Sequence, residues 1–285
     1  MGLRISLVFF SAATSSFATQ MTPVFLSQVY VVVDADSYKA IRASDAIQAL
    51  ASAQEERVSA SHGGWTGFYI VGRQTAIEIL AASAEGDPTR PGQSGIGLAY
   101  GDAANGPVLE KRLRAALGNR ANVARSRMRT SDLVPWLDEI DVDGGESGTL
   151  STWFIEMSPG FLVAQYPGSR SDHGRSREQY FAAGFHPERL LDDVVGLSVA
   201  LNPAETSLLV DELSLAGWTM TQDAGKTVMS GPDIAITILP AGTRSGIREA
   251  RLRLRHPALR QVSPLGNAEL QLDGEAGSLS FGDSG

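Results

Sequence analysis

The chain has 285 residues, of which 43% are hydrophobic and 20% charged, and its formal net charge is −8. This composition is typical of a folded globular protein, and the acidic excess argues against nucleic acid as a partner, because phosphate binding needs clustered Lys and Arg. The chain contains no cysteine, which excludes disulfides, thiolate nucleophiles and cysteine-ligated zinc. Any metal would therefore bind His nitrogen, carboxylate oxygen or amide oxygen atoms.

The first eighteen residues have the pattern of a secretory signal peptide. Arg4 is the only charged residue in them, the apolar stretch Ile5–Ala13 follows, and Ser16–Ala18 has the small-x-small spacing that a signal peptidase reads. A buried first helix or strand is the alternative interpretation. We predict a signal peptide over 1–18 and a secreted or periplasmic mature protein, with no later segment apolar enough to span a membrane.

The next segment predicts a unit of strand, helix and further strands. Residues Gln28–Asp34 are rich in β-branched and aromatic residues, as strands are. An apolar stripe at helical spacing runs from Tyr38 to Leu50. Two more strands are predicted, at Trp65–Val71 and Thr75–Leu80.

The same order recurs twice. The second unit has a strand at Ile96–Tyr100 and a helix between Pro107 and Gly118. The third has a strand at Val194–Leu201 and a helix that begins at Asn202, followed by Pro at the first position and Glu at the third. The strands predicted after these two helices are Val123–Thr130, Trp153–Met157, Phe161–Tyr166, Trp218–Gln222, Thr227–Ser230 and Ile234–Leu239. A fourth, incomplete unit is predicted to begin near Gly246.

These recurrences predict an α+β fold in which repeated β-α-β-β-β units form paired open sheets. We expect a first pair of units over 19–168, a polar linker over 169–189 with a short helix at its end, and the remaining units over 190–285, the last of them degenerate. The acidic segment Asp138–Gly144 is interpreted as a turn. A calcium loop is the alternative, but Leu150 stands where such a loop needs its last Glu.

A β-α-β-β-β unit used in pairs resembles the vicinal oxygen chelate superfamily, which includes glyoxalase I, bleomycin-resistance proteins and extradiol dioxygenases. Within it, Val29–Asp34, Trp65–Tyr69 and Thr75–Glu78 look like an uncharacterised bacterial glyoxalase-like family of unknown function. The resemblance covers 25–80 and 190–240 best. It implies paired, glyoxalase-like sheets around an open cleft, in which metal-dependent members take ligands from the first and last strands of each unit.

Carried over to this chain, the resemblance places candidate metal ligands at Gln28 and Glu78, with Glu156 as a candidate third ligand. Glu78 is also the candidate catalytic residue, as a general base in a cleft. Strand alternation predicts that Glu78 shares the cleft face with Gln28 and Tyr30. Many relatives have His at the first of these positions. The first strand of the second unit, Ile96–Tyr100, has no His, and the third and fourth units offer no ligand-type residue at the matching places. A divalent Zn, Ni, Mn or Fe ion would therefore need further ligands.

Other polar residues carry weaker signals. None of the four histidines is paired at the i,i+4 spacing of a helical zinc site. Arg251, Arg253 and Arg255 alternate with leucines, which indicates one basic strand face. This face is either solvated, protecting a sheet edge, or a patch for an anion. Nucleophile-elbow, P-loop and dinucleotide motifs are absent from the sequence.

Two functions remain open at this point. The first is a small-molecule binder that holds its ligand in a cleft between paired units without catalysis. The second is a metal-dependent lyase, isomerase or dioxygenase acting on a small polar substrate, with Glu78 as ligand or base. The absence of the expected histidines favours the binder.

The signal peptide gives the first testable prediction, cleavage after Ala18. The intact mass of secreted or periplasmic material should correspond to a chain that begins at Thr19, because the small-x-small exit ends there. A full-length product retained in the cytoplasm would contradict export.

Overall fold

The computed structural model describes residues 23–60, 63–82, 90–102, 104–129, 135–143, 149–165, 176–223, 225–242 and 245–282. Over these residues the chain forms two open β-sheets with six α-helices. The predicted α+β fold with paired open sheets is thereby confirmed. None of the helices described is long and apolar enough to cross a membrane. The predicted signal peptide, 1–18, lies outside the described residues.

The first unit has one more helix and one more strand than the sequence pattern indicated. Its elements are β1 (Phe25–Val33), α1 (Ala35–Arg42), α2 (Asp45–Leu50), β2 (Ala53–Ala60), β3 (Gly63–Val71) and β4 (Ala76–Ala81). The predicted single helix is divided because Ser44 starts a new one, its hydroxyl accepting the Ile47 N–H. Asp34 caps the first helix in the same way, through the Ser37 N–H at 2.9 Å.

The second unit repeats this order and corrects two predictions. Its elements are β5 (Ser94–Ala99), α3 (Asn105–Leu117), β6 (Asn122–Arg129), β7 (Pro135–Asp143) and β8 (Leu150–Met157), followed by α4 (Pro159–Gln165) and α5 (Ser176–Phe181). The acidic segment is a strand, because Ile140 and Val142 are buried and alternate with acids. The predicted strand Phe161–Tyr166 is helical as far as Gln165. Proline opens that helix, and Val163 and Ala164 are both exposed after buried Leu162, which a strand with alternating burial would not show.

The third unit has the predicted capped helix. Its elements are β9 (Leu191–Leu201), α6 (Pro203–Leu215), β10 (Thr219–Asp223), β11 (Lys226–Ser230) and β12 (Ala235–Pro240). Asn202 accepts the N–H groups of Ala204 and Glu205, and the Glu205 carboxylate accepts the Asn202 N–H at 3.1 Å. This reciprocal capping confirms the helix start predicted from Asn-Pro-x-Glu.

The predicted degenerate fourth unit is a long hairpin of β13 (Gly246–Leu265) and β14 (Ala268–Phe281). No helix separates the two strands. Their turn has Gly266 at φ 73°, a conformation that favours glycine. There the Asn267 N–H donates to the Ser37 hydroxyl at 2.8 Å, so the hairpin tip lies on the start of α1.

The eight-stranded sheet joins the first two units through their first strands. Its order is β2-β3-β4-β1-β5-β8-β7-β6, with β1 antiparallel to β5 and parallel to β4. The six-stranded sheet has the order β10-β11-β12-β9-β13-β14. One continuous apolar core contains side chains of both sheets and of α1, α2, α3 and α6. The helix-facing sides of the two sheets are therefore buried in a common core.

A buried carboxyl group links α6 of the third unit to the eight-stranded sheet. Glu212 on α6 is only 1% exposed, and its carboxylate accepts the Thr152 hydroxyl of β8. Burial raises the pKa of Glu212 to about 8, against the opposing effect of the Thr152 hydrogen bond. The folded state therefore favours the neutral carboxyl group at neutral pH.

This pKa predicts how Glu212→Gln changes stability with pH. An ordinary glutamate ionises near pH 4.5, so between there and about pH 8 the unfolded chain loses a proton that the folded chain keeps. The contribution of Glu212 to the free energy of unfolding consequently falls as pH rises through this window. The free energy of unfolding of Glu212→Gln, relative to that of the unmutated protein, should therefore increase by about 1.4 kcal/mol per pH unit in this window.

Urea unfolding at pH 5 to 9 measures this difference, because denaturant unfolding gives the free energy at each pH. The control is Glu275→Gln, which removes a carboxylate from an exposed position on β14. A difference between Glu212→Gln and the unmutated protein that stays flat with pH would show that Glu212 is ionised in the fold.

Candidate functional site

The face of the eight-stranded sheet that points away from α1, α2 and α3 forms an open cleft of about 650 Å³, which α4 and α5 also line. Every strand of this sheet except β5 contributes described residues to its lining. Among the described residues, eight aromatic side chains line it. They are Tyr30, Trp65, Tyr69, Trp136, Trp153, Phe161, Tyr180 and Phe181. The cleft wall is therefore largely a surface of rings.

The floor of the cleft is made by two rings that lie over a strand with no side chains on that face. A Cβ added to Gly95 on β5 would be 2.3 Å from a Tyr30 ring carbon and 2.5 Å from a Trp153 ring carbon. Gly97, two residues on, lies under Trp153 in the same way. The two rings are stacked, with centroids 5.7 Å apart, and the Tyr30 hydroxyl donates to Ser151 at 3.1 Å. The glycines thus permit the close approach of the rings.

Glu78 lies at the base of the cleft wall and is 5% exposed. Its Oε1 atom accepts hydrogen bonds from the Tyr69 hydroxyl, at 2.6 Å, and from the Trp65 indole N–H. A Cβ at Gly67, between these two rings on β3, would be 2.4 Å from Oε1, so the glycine makes room for the carboxylate. Burial raises the pKa of Glu78, and the two donors oppose the rise. Burial, and then the Glu78 charge, raise the pKa of Tyr69.

The structure brings two of the three sequence-derived candidates to this face. Strand β1 pairs in parallel with β4, so that Gln28 lies opposite Ala76 and Tyr30 opposite Glu78. Gln28 and Glu78 both line the cleft, as alternation predicted.

Glu156 is not brought to the cleft. Trp153 and Ile155 of the same strand line it, and alternation turns Glu156 to the opposite side with Thr152, where it is 6% exposed. The expectation that Glu156 lies near Gln28 and Glu78 is therefore corrected.

The opposite wall carries acids that the sequence interpretation assigned to a turn. Glu139 and Asp141 on β7 line the cleft, and Glu56 on β2 lines it on the Glu78 side. Burial, and then the nearby Asp141, raise the pKa of Glu139 to about 7. Burial, and then Asp143, raise the pKa of Asp141. No Lys, Arg or His is found among the described residues of the lining.

The donor atoms do not fit the metal centre that the resemblance implies. The first and last strands of each unit pair in parallel. In the first unit this pairing places Tyr30 opposite Glu78, and in the second unit it places Gly97 opposite Trp153. The places that would hold further ligands therefore carry glycine and tryptophan. Within the described part of the chain, no three His, Asp or Glu side chains come together as a metal site would require. The Glu78 oxygen that accepts two protein donors is also poorly placed to bind a cation.

The six-stranded sheet does not repeat the cleft. Thr237 there pairs with Ser198, in the register that Glu78 and Tyr30 have in the first unit. The Arg251 guanidinium lies over Gly196. The basic strand face predicted from the sequence is partly neutralised, because Arg253 donates to Asp192 at 2.6 Å and Arg255 lies 3.6 Å from the same carboxylate.

Some site residues escaped the sequence analysis although signals for them exist. Trp65, Gly67 and Tyr69 alternate on one face of a predicted strand, and Glu139 and Asp141 alternate with apolar residues. The signal for the bare strand face is glycine at two alternate positions of β5, Gly95 and Gly97. His62 and His173 lie outside the described residues.

Comparison with solved structures supports this architecture at low sequence identity. A hypothetical protein from Staphylococcus aureus matches with a TM-score of 0.50 and 10% identity, over 78% of this chain and 88% of that one. The 2,2',3-trihydroxybiphenyl 1,2-dioxygenase from dibenzofuran-degrading Sphingomonas wittichii strain RW1 matches with a TM-score of 0.50 and 13% identity, over 92% and 91%. Such likeness concerns the fold alone.

Sequence comparison assigns the chain to a family. No curated protein matched the chain. Residues 26–281 match the model of a family of unknown function, DUF5829. Since the match covers most of its length, the chain belongs to the DUF5829 family.

Proposed function

We propose that this protein binds a small, flat aromatic molecule in the cleft of its eight-stranded sheet, as a non-catalytic member of the vicinal oxygen chelate superfamily. The observation that carries the proposal is the lining of eight aromatic side chains around about 650 Å³. Pockets of about 300–1,000 Å³ with aromatic walls and a few polar groups are typical of small-molecule sites. Export of the protein stays a prediction from residues 1–18.

The cleft offers such a ligand a flat surface of aromatic rings and several polar groups. The stacked rings of Tyr30 and Trp153 present an extended flat surface, on which another ring can stack. The Gln28 side chain lines the cleft with one donor and one acceptor group. The Ser151 side chain, which also lines the cleft, accepts the Tyr30 hydroxyl and keeps its own hydroxyl proton for a ligand acceptor.

The alternative function is a metal-dependent lyase, isomerase or dioxygenase. Two observations favour it: the fold is like that of the Sphingomonas wittichii dioxygenase, and Glu78 is a buried cleft carboxylate. The donor set disfavours it, because Gly95, Gly97 and Trp153 occupy the matching places of the second unit. The binder is therefore the better supported of the two functions.

Tryptophan fluorescence provides the test of binding. Of the four tryptophans, Trp65, Trp136 and Trp153 line the cleft, whereas Trp218 is buried near the six-stranded sheet. Three bicyclic probes of similar size should be titrated at pH 8.5: quinoline, which is uncharged there, the N-methylquinolinium cation and the 1-naphthoate anion. At least one should quench emission saturably, with a dissociation constant of about 1 mM or tighter.

A matched pair of variants locates the binding. Gly95→Ala should weaken the binding of that probe about tenfold or more, because the added methyl group would displace Tyr30 and Trp153. Gly242→Ala, whose added Cβ meets no atom within 4 Å, should bind like the unmutated protein. Thermal unfolding confirms that both variants are folded. Failure of all three probes to bind, or equal affinity in Gly95→Ala, would refute the proposal.

A calorimetric titration decides the metal question separately. Zn, Ni, Mn and Fe(II) added near neutral pH should give no saturable heat with the unmutated protein, because the cleft lacks a complete ligand set. If one equivalent of metal binds and Glu78→Gln abolishes that binding, the metal-dependent enzyme becomes the better supported function.

A further inference from the structure

The cleft has carboxylates on both sides of its aromatic floor. In the order of the strands, Glu56 and Glu78 lie on β2 and β4, and Glu139 and Asp141 lie on β7, beyond the stacked rings. No basic side chain is found among the lining residues that the structure describes. Four acidic side chains with no basic side chain beside them in the described lining give the cleft a negative electrostatic potential. The net negative charge of the whole chain has the same sign.

The rings add to this potential independently of the acids. The face of an aromatic ring carries partial negative charge, and tryptophan and tyrosine attract cations within about 6 Å of their centroids. The attraction is stronger in a site that excludes water. The described lining holds three tryptophans and three tyrosines, so the aromatic and the charged groups favour the same sign of ligand.

We propose that the ligand of the cleft is an aromatic organic cation, a flat ring system that carries a quaternary or protonated nitrogen. This inference rests on the proposed function and narrows its ligand class. The ring system would stack on Tyr30 and Trp153, and the positive charge would face the acids of β7. An anion of the same shape would be repelled by the walls, and a neutral analogue would gain only the stacking.

Glu139 and Asp141 are the acids best suited to hold the charge. The carboxylate of Glu78 already accepts hydrogen bonds from Trp65 and Tyr69. By contrast, the Glu139 and Asp141 side chains make no hydrogen bond or ion pair in the part of the chain that the structure describes, whereas Asp138 of the same strand is paired with Arg125. Burial raises the pKa of Glu139 to about 7, and a cation beside it would offset the cost of burying its charge.

The three bicyclic probes also test this inference. At pH 8.5 and low salt, N-methylquinolinium should bind about tenfold more tightly than quinoline, and 1-naphthoate should bind most weakly. Raising the salt concentration from 0.05 to 0.5 M should reduce the preference, because salt screens the carboxylates. Calorimetry measures each dissociation constant.

Two variants assign the preference to the acids. In Glu139→Gln/Asp141→Asn, the preference for the cation over quinoline should fall by about threefold or more, because two carboxylates are removed, and the remainder reflects the rings and the other two acids. Glu275→Gln, which removes an exposed carboxylate of the other sheet, should keep the full preference. If thermal unfolding shows that the double variant does not fold, the salt dependence of the unmutated protein decides instead.

The outcomes distinguish a failure of the cationic-ligand inference from a failure of the proposed function. Equal affinities for the three probes, or a preference for 1-naphthoate, overturn the cationic ligand while binding in the cleft stands. A cation preference that is undiminished both at high salt and in the double variant also overturns it. Failure of every probe to bind refutes the proposed function itself.

Discussion

The antiparallel junction of β1 and β5 is the constraint on which the cleft depends. At this junction Gly95 and Gly97 leave the cleft face of the central strand bare, and Tyr30 and Trp153 close over it from either side. Any larger residue at Gly95 would occupy the space of both rings, with less than 3 Å between heavy atoms. Two missing side chains thus determine where the aromatic floor lies, and the acids of β4 and β7 are placed relative to that floor.

The second half of the chain supports the site without duplicating it. Asp193, at the start of β9, accepts the Gln74 N–H and the Thr75 hydroxyl, both at 2.8 Å, and Thr75 in turn accepts the Val194 N–H. These bonds fix the residues immediately before β4, with Thr75 three residues before Glu78. Burial raises the pKa of Asp193, and its hydrogen bonds to Gln74 and Thr75 oppose the rise. The six-stranded sheet therefore positions the wall of a cleft that belongs to the eight-stranded sheet.

The sequence predicted best those elements in which several local signals agree. The helix after Asn202 combines a cap, a first-turn proline and an apolar face, and it lies where expected. Strand β2 was missed because Gln54–Arg57 is polar and exposed, without the alternation that marks a half-buried strand. Strand β7 was taken for a turn because its acids dominate the composition, although Ile140 and Val142 alternate with them. Glu156 was misplaced because its strand was considered without its side-chain parity. The pairing of strands from different units, which creates the cleft, is a tertiary property that no local pattern encodes.

The positions of the acids suggest different roles for them. A general base needs an oxygen that a substrate proton can reach, but Oε1 of Glu78 accepts the Trp65 and Tyr69 donors and the side chain is 5% exposed. Those two charge-assisted bonds hold two rings of the wall in fixed orientations. Glu139 and Asp141 have no such donors in the described structure and remain available to a ligand. In the proposed function, Glu78 therefore shapes the aromatic wall, and Glu139 and Asp141 supply the unpaired charge.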